Sequence, residues 1–232
     1  MPLIRAKGPA RRLGSHDVLQ HDSISMTAST LPSQVSPVTL QGSTVRLVPM
    51  TMDHVDALAR VGLEPDLWRW TTVVVDSPEA MRRYVGYALD ERERGVSMPF
   101  VIVHQASGQI IGSTRYGNID LSHRRIEIGW TWLNPAHQRT RANTECKLLL
   151  LTHAFETLRV NRVELRTDVL NEKSRNAIAR IGATQEGIAR RHIVTHSGRI
   201  RDTVYYSIIA SEWPTVRAML TGMLEGQERR TK

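Results

Sequence analysis

A single cysteine, Cys146, is all the chain has, so no disulfide can close within it, and the sequence suits a reducing compartment. Cys146 falls inside a helical apolar pattern with no histidine and acid pointing at it, which favours core filling over a nucleophile. Long apolar runs are also missing: none approaches the roughly 20 residues that a membrane-crossing helix needs. His153, His192 and His196 lack ligand spacing, so no metal site is expected. Neither aromatic-rich strand motifs nor a recognisable reader helix accompanies the basic charge, which leaves nucleic-acid binding supported by charge alone. There is no internal repeat.

What remains is 232 residues, 41% of them hydrophobic, with a formal charge of +8. That length and composition suit one domain of ordinary size, and the charge favours acidic partners without specifying any chemistry. Three regions follow from composition. Residues 1–37 form a basic, Ser/Thr-rich tail carrying Arg5, Lys7, Arg11 and Arg12 with no apolar period, read as disordered; a transit peptide or a nucleic-acid-binding arm is the sharper alternative, and Met26 offers an alternative start. Residues 38–225 form the folded domain. Residues 226–232 are a charged tail.

Along the domain, Thr44–Pro49 alternates as a strand and Asp53–Val61 reads as a short helix. Ser77-Pro78-Glu79 starts a helix to about Arg94 with Met81, Tyr84, Val85 and Ala88 on its apolar side. Strands are expected at Phe100–His104, Ile110–Thr114 and Arg125–Leu133, separated by a Ser107-Gly108 turn and a polar stretch from Gly117 to Arg124. Arg162–Thr167 alternates Val163 and Leu165 against charged residues, so one face is wet. A helix from Lys173 ends at Gly182, where a missing side chain allows the left-handed cap. A hairpin, Glu186–Ile193 and Thr203–Ile209, turns at His196-Ser197-Gly198, and Ser211-Glu212-Trp213-Pro214 opens a last helix. This mixture of helices and a mixed sheet is α/β or α+β.

The most informative stretch is Asn134–Val160. Proline at 135 ends the preceding strand. A polar loop, Ala136–Arg141, then leads into a helix whose apolar face is Leu148, Leu151, Phe155 and Leu158, widened by Leu149, Leu150 and Ala154. Thr140 or Asn143 can cap it. Amide groups at a helix N-terminus, with arginines beside them, form a good seat for a phosphate or pyrophosphate.

Strand, loop Gln138-Arg139-Thr140-Arg141-Ala142-Asn143 and helix together resemble the coenzyme A pyrophosphate loop of the GNAT acetyltransferases. Gln138 fits that pattern, whereas Arg141 stands where glycine is usual and Asn143 where glycine or alanine is usual. Downstream, Thr167-Asp168-Val169-Leu170-Asn171-Glu172-Lys173-Ser174, then Gly182-Ala183, Gly198 to Arg201-Asp202 and Tyr206-Ser207-Ile208, are similar to the branch of ribosomal-protein N-terminal acetyltransferases. The resemblance covers roughly Leu40 to Trp213.

It implies the GNAT fold, with a central, mostly antiparallel sheet flanked by helices, and an N-acetyltransferase moving acetyl from acetyl-coenzyme A to a primary amine through a tetrahedral intermediate. In such enzymes the strand before the loop parts from its neighbour and pantetheine bonds to its main chain, here Gly129 to Leu133. Trp132, Leu133, Gln138, Arg139, Thr140, Arg141, Ala142, Asn143, Thr144 and Asn171 are thus the implied coenzyme-binding residues. Trp70 and Thr71, between the first two helices, border the implied acceptor pocket, with core packing the plainer alternative for Trp70 and more so for Trp68. The transfer needs an amine free of its proton, an oxyanion stabiliser and a proton for the thiolate. Glu127 stands where relatives place the base; the alternative is an exposed glutamate paired with Arg124 or Arg125. The tyrosine acid of many relatives is replaced by Ile178, which makes Ser174 the implied acid, with a helix cap as its alternative. Asp202 and Tyr206 rank second.

The acceptor is expected to be a protein N-terminus or a small-molecule amine, with no membrane or metal involved and nucleic acid met only through the ribosome. A cytoplasmic setting is expected, and self-association into a homodimer stays open. The alternative function is a catalytically degenerate GNAT domain that binds acyl-coenzyme A as a sensor or structural module, in keeping with Arg141 and the absent tyrosine.

Overall fold

The computed structural model describes residues 32–230. Most of the 1–37 tail and the last two residues of the 226–232 tail therefore lie outside the described residues. Local chemistry sets the helix starts. Ser77 is extended and its side chain accepts from the amide of Ala80, with Pro78 as the first helical residue, so α2 runs Pro78–Glu93 and buries Met81, Tyr84, Val85 and Ala88 as its periodicity predicts. The shorter α1, Val55–Gly62, buries Val55, Leu58 and Ala59.

Eight strands form one sheet: β1 (Leu40–Gln41), β2 (Val45–Pro49), β3 (Met98–His104), β4 (Ile110–Asp120), β5 (Arg125–Leu133), β6 (Arg162–Asp168), β7 (Thr184–Val194) and β8 (Ile200–Ile209). Their spatial order is β1-β2-β3-β4-β5-β6-β8-β7, and every neighbouring pair is antiparallel except β5 with β6. The expectation of a mostly antiparallel sheet in an α/β fold holds. β4 is longer than its sequence reading: the strand carries through Gly117 to Asp120, because pairing with β5 overrides the weak strand preference of those polar residues.

The remaining helices are α3 (Arg141–Thr152), α4 (Glu172–Arg180) and α5 (Trp213–Arg230). α3 widens into a five-residue π turn at His153–Thr157. Gly182 takes φ +85°, the left-handed conformation expected after α4. α5 continues past Gly226, where the sequence reading begins a tail.

The sheet separates two cores. On one face, α3 and α5 contribute Leu150, Leu151, Ala154 and Leu220 to a cluster with Phe100, Ile126 and Val163. On the other, α1 and α2 pack Leu58, Met81 and Val85 against Val101 and Trp132. Within the helical stripe, Leu150 and Leu151 are fully buried while Leu148 and Leu149 only border the core. Cys146 is fully buried, with its thiol pushed up to about 11 by burial, as core filling requires.

One buried carboxylate ties α3 to the far edge of the sheet. Glu145 accepts from the Ser43 amide at 2.9 Å, the Ser43 hydroxyl at 2.7 Å, and the amides of Thr44 and Val45 at 2.7 Å each. A side chain on Gly42 would meet the Glu145 Oε2 at 2.5 Å, so glycine is required there.

Candidate active site

The sheet splits at its centre. β5 and β6 pair only at Arg125↔Arg162, Ile126↔Val163 and Glu127↔Glu164. Beyond Glu127, β5 continues along β4 while β6 continues along β8 to Asp168↔Thr203. A bulge opens the fork. Ser113 faces Trp132 and Arg115 faces Gly129, so Thr114 opposes two residues of β5, and Trp130 takes φ +50°. Such an insertion bends the bulged strand. The β6-facing main-chain groups of residues 128–133 consequently have no strand partner, and backbone donors and acceptors in that state are sites for a ligand with amides of its own.

The bulge is held from both sides. The buried guanidinium of Arg115 lies 4.9 Å from the Trp130 ring and 5.0 Å from that of Tyr84, and it pairs with Glu91 at 3.0 Å. The next residue, Thr131, accepts from Lys147 Nζ at 2.8 Å and lies 2.8 Å from the Thr114 hydroxyl. Lys147 is buried, which lowers its pKa.

β5 delivers the chain directly to the N-terminus of α3. Asn134 accepts from the Ala136 amide, a short turn follows, and Thr140 caps α3 by accepting from Ala142 at 3.2 Å. Gln138 donates to the Leu133 carbonyl at 2.8 Å and accepts from Lys173, joining the loop to both arms of the fork. Arg139 takes the left-handed φ of +60°. Arg141, in the position where glycine is usual, is instead the first helical residue of α3, so the lack of glycine there imposes no strain. Ala142 and Thr144 are buried, the Thr144 hydroxyl accepting from Arg180 at 3.2 Å, while Asn143 is half-buried. Trp132 is 7% exposed and packs 5.7 Å from Trp68, so its ring belongs to the core and only its main chain faces the fork.

Glu127 sits in the crotch of the fork, 4% exposed. Its Oε1 accepts from Arg166 Nε at 2.9 Å, and its Oε2 accepts from Arg166 Nη2 at 2.7 Å and from Asn118 Nδ2 at 2.6 Å. The alternative of an exposed glutamate paired with Arg124 or Arg125 is corrected: Arg124 donates to the Arg159 carbonyl and Arg125 pairs with Asp120 and Glu164, because Glu127 faces Arg166 on the neighbouring strand. Burial raises the Glu127 pKa above its ordinary value, against the opposing pull of Arg166 and Asn118. A side chain at Gly129 would close to 2.9 Å of Glu127 Oε1, so glycine leaves that oxygen uncrowded.

Asn171 caps α4 by accepting from the Ser174 amide at 3.1 Å. The cap is therefore Asn171, and the Ser174 hydroxyl makes no hydrogen bond among the described residues. Trp70 is half-buried beneath the guanidinium groups of Arg69, at 5.0 Å, and Arg199, at 5.6 Å, whereas Trp68 is a core residue donating to the Gly62 carbonyl at 2.7 Å. The Thr71 hydroxyl is turned onto the Trp68 and Val73 carbonyls at 2.8 and 2.5 Å. Asp202 accepts from the Arg191 amide at 2.6 Å, and Tyr206 is buried in the core.

Residues 44–184 match the acetyltransferase (GNAT) domain family. The chain belongs to the GNAT acetyltransferase family. Among its relatives, YdaF of Bacillus subtilis strain 168, a candidate ribosomal N-acetyltransferase, is 38% identical over 106 residues, 46% of this chain and 57% of that protein. The match thus spans little more than half of that relative's length. A candidate acetyltransferase from T. thermophilus superposes with a TM-score of 0.75 at 32% identity, covering 82% of this chain and 98% of that one. Mycobacterium smegmatis RimJ, in complex with CoA-disulfide, shares the GNAT fold with a TM-score of 0.69 at 23% identity over 81% of this chain and 93% of its own. Resemblance to the ribosomal-protein branch of the GNAT family is therefore upheld.

Three residues of this candidate site escaped sequence reasoning. Arg166 and Asn118 hold Glu127, and Lys173 holds Gln138. The alternation of β6 did place Arg166 on the wet face, which was the one signal available. Asn118 takes φ +46°, a conformation asparagine tolerates, but the turn that aims it at Glu127 arises from an irregularity in β4–β5 pairing.

Proposed function

We propose that the protein is an N-acetyltransferase of the cytoplasm that moves acetyl from acetyl-coenzyme A to a primary amine, on a protein N-terminus or a small molecule. The observation that carries this reading is the fork itself: two strands that part at a buried carboxylate, one running straight into a capped helix N-terminus. Its parts fit the coenzyme. Main chain from Gly129 to Leu133, without a β6 partner, suits the two amides of pantetheine, the α3 N-terminus with Gln138 to Thr144 suits a pyrophosphate, and Asn171 borders the opposite arm. That RimJ, which shares this fold, was solved in complex with CoA-disulfide supports a coenzyme A ligand. The coenzyme supplies an activated acetyl thioester.

Glu127 takes the proton of the attacking amine as the new C–N bond forms. Arg166 and Asn118 occupy both of its oxygens, which favours relay through a water at the carboxylate, and its burial-raised pKa brings it closer to the working range of a general base. Ser174, with a hydroxyl not needed as a cap, passes its proton to the thiolate as the C–S bond breaks while taking one from a water, so that no alkoxide is left. Ribosomal relatives such as YdaF support a protein N-terminus as the acceptor.

Calorimetric titration with acetyl-coenzyme A, followed by a thiol-release assay over an amine panel, tests the reading. Binding with turnover is expected. No heat of binding, together with no rise in melting temperature at saturating ligand, would remove the coenzyme from the site. Binding without turnover on any amine would leave the sensor reading in its place.

A further inference from the structure

Other arginines near the fork, half-buried or buried, have an acid of their own. Arg166 pairs with Glu127, Arg199 with Asp168, and Arg115 with Glu91. Arg201, on β8, differs. It is 9% exposed, its Nε donates to the Thr203 hydroxyl at 3.0 Å and its Nη1 to the Trp70 carbonyl at 3.3 Å, and among the described residues no carboxylate pairs with it. Withdrawing a guanidinium from water onto neutral acceptors alone is unfavourable, and a buried cation without its anion is the state that a charged ligand relieves.

Its position says which ligand. Arg201, Thr203 and Tyr205 alternate along one face of β8, and in register Thr203 faces Asp168 and Tyr205 faces Arg166, the partner of Glu127. Arg201 also feels the charges of Asp168, Arg166, Glu127 and Arg199, and burial outweighs the acids in lowering its pKa. Through Trp70 it touches the segment between α1 and α2 that closes this side. Arg69, Arg166, Arg199 and Arg201 gather here against Glu127 and Asp168, which leaves the acceptor side cationic.

We infer that Arg201 recognises a carboxylate carried by the acceptor close to its reacting amine, so that acidic acceptors are selected over neutral and polycationic ones. The inference rests on the acetyltransferase reading. A guanidinium presents a planar fork matched to a carboxylate, while a polyamine would meet like charge.

The test uses the full chain with C-terminally amidated peptides of equal length that differ only in Asp, Asn or Lys beside an N-terminal alanine, plus the Asn peptide with a free C-terminal carboxylate and spermidine. Rates and equilibrium binding to the coenzyme A complex and to the free protein are read in parallel. Wild type should prefer Asp to Asn by roughly tenfold to a hundredfold, as expected for hydrogen bonds to a charged group, with Lys and spermidine lower still. Arg201→Met should abolish that preference by raising KM for the Asp peptide alone, and Arg201→Lys should restore part of it. A gain for the free carboxylate over its amide would identify the main-chain terminus as the source, and a gain for Asp alone the side chain. Equal handling of Asp and Asn by wild type with no gain for the free carboxylate would overturn the inference, as would an Arg201→Met defect uniform across the panel, the signature of a strut for the Trp70 segment. Should neither the peptides nor any other amine turn over while Asp still binds more tightly than Asn, the acetyltransferase reading fails and only carboxylate recognition at Arg201 stands.

Discussion

Glu145 and Glu127 are buried to the same degree, 5% and 4% exposed, yet their surroundings differ in kind. Glu145 accepts three main-chain amides and a neighbouring hydroxyl from one short stretch, Ser43 to Val45. Such donors are fixed by the fold and cannot turn away, so this carboxylate is a fastener. Glu127 is held by two side chains, Asn118 and Arg166, at the point where the sheet divides. Side chains can rotate, the β5 main chain just beyond has no β6 partner, and burial lifts the pKa. Rotatable partners at a parting of the sheet suit the proposed base, and fixed main-chain donors suit a fastener.

Exchanging each acid for its amide breaks the comparison most sharply. Glu127→Gln should lower turnover by about two to four orders of magnitude with coenzyme affinity nearly unchanged, because proton acceptance matters only in the transition state. Full activity in that variant would end the catalytic assignment and leave coenzyme binding untouched. Glu145→Gln should do the converse: a loss of about 3 kcal/mol of stability, a fall of roughly 6–12 °C in melting temperature, and normal turnover measured below the melt. A Glu145→Gln protein that melts like wild type would show that the four hydrogen bonds add nothing net.

Smaller effects sharpen the picture. Ser174→Ala should slow turnover by roughly tenfold to a hundredfold, since water can protonate the thiolate in its stead. Because Asn171 supplies the cap, its melting temperature should stay put; a lower melt with unchanged turnover would make Ser174 structural. The slightest change is in pH dependence. The acidic limb of kcat/KM should lie above the ordinary glutamate value of about 4.3. Arg166→Gln, by removing an interaction that lowers the Glu127 pKa, should move that limb higher. The sign for stability follows: a carboxyl raised in the folded state favours folding as pH falls from its folded value to its ordinary one, and that gain is lost above. A limb that moves down in Arg166→Gln would contradict the pairing.

Much of this was legible because it is local. Ser77 with Pro78, Thr140 before α3 and Gly182 after α4 act within one helical turn, so their residue types predict their geometry. The wet and dry faces of β6 follow from alternation. The fork was visible only through resemblance, since whether β5 stays beside β6 depends on a register shift opposite Thr114 that no single segment encodes. Arg166 lies 39 residues from Glu127 and Arg201 lies 131 from Trp70, distances over which residue type alone predicts no contact.

The Glu145 fastening has a consequence in time. Its hydrogen bonds join residues 100 to 102 apart in the chain, and closing a loop of that length costs roughly 4 kcal/mol of chain entropy before any contact forms. The hairpin-linked strands β3, β4 and β5 need no such closure. β1 and β2 should therefore dock late in folding, after α3 has presented its carboxylate, and a refolding experiment should find Glu145→Gln accelerating unfolding while leaving the folding rate almost unchanged.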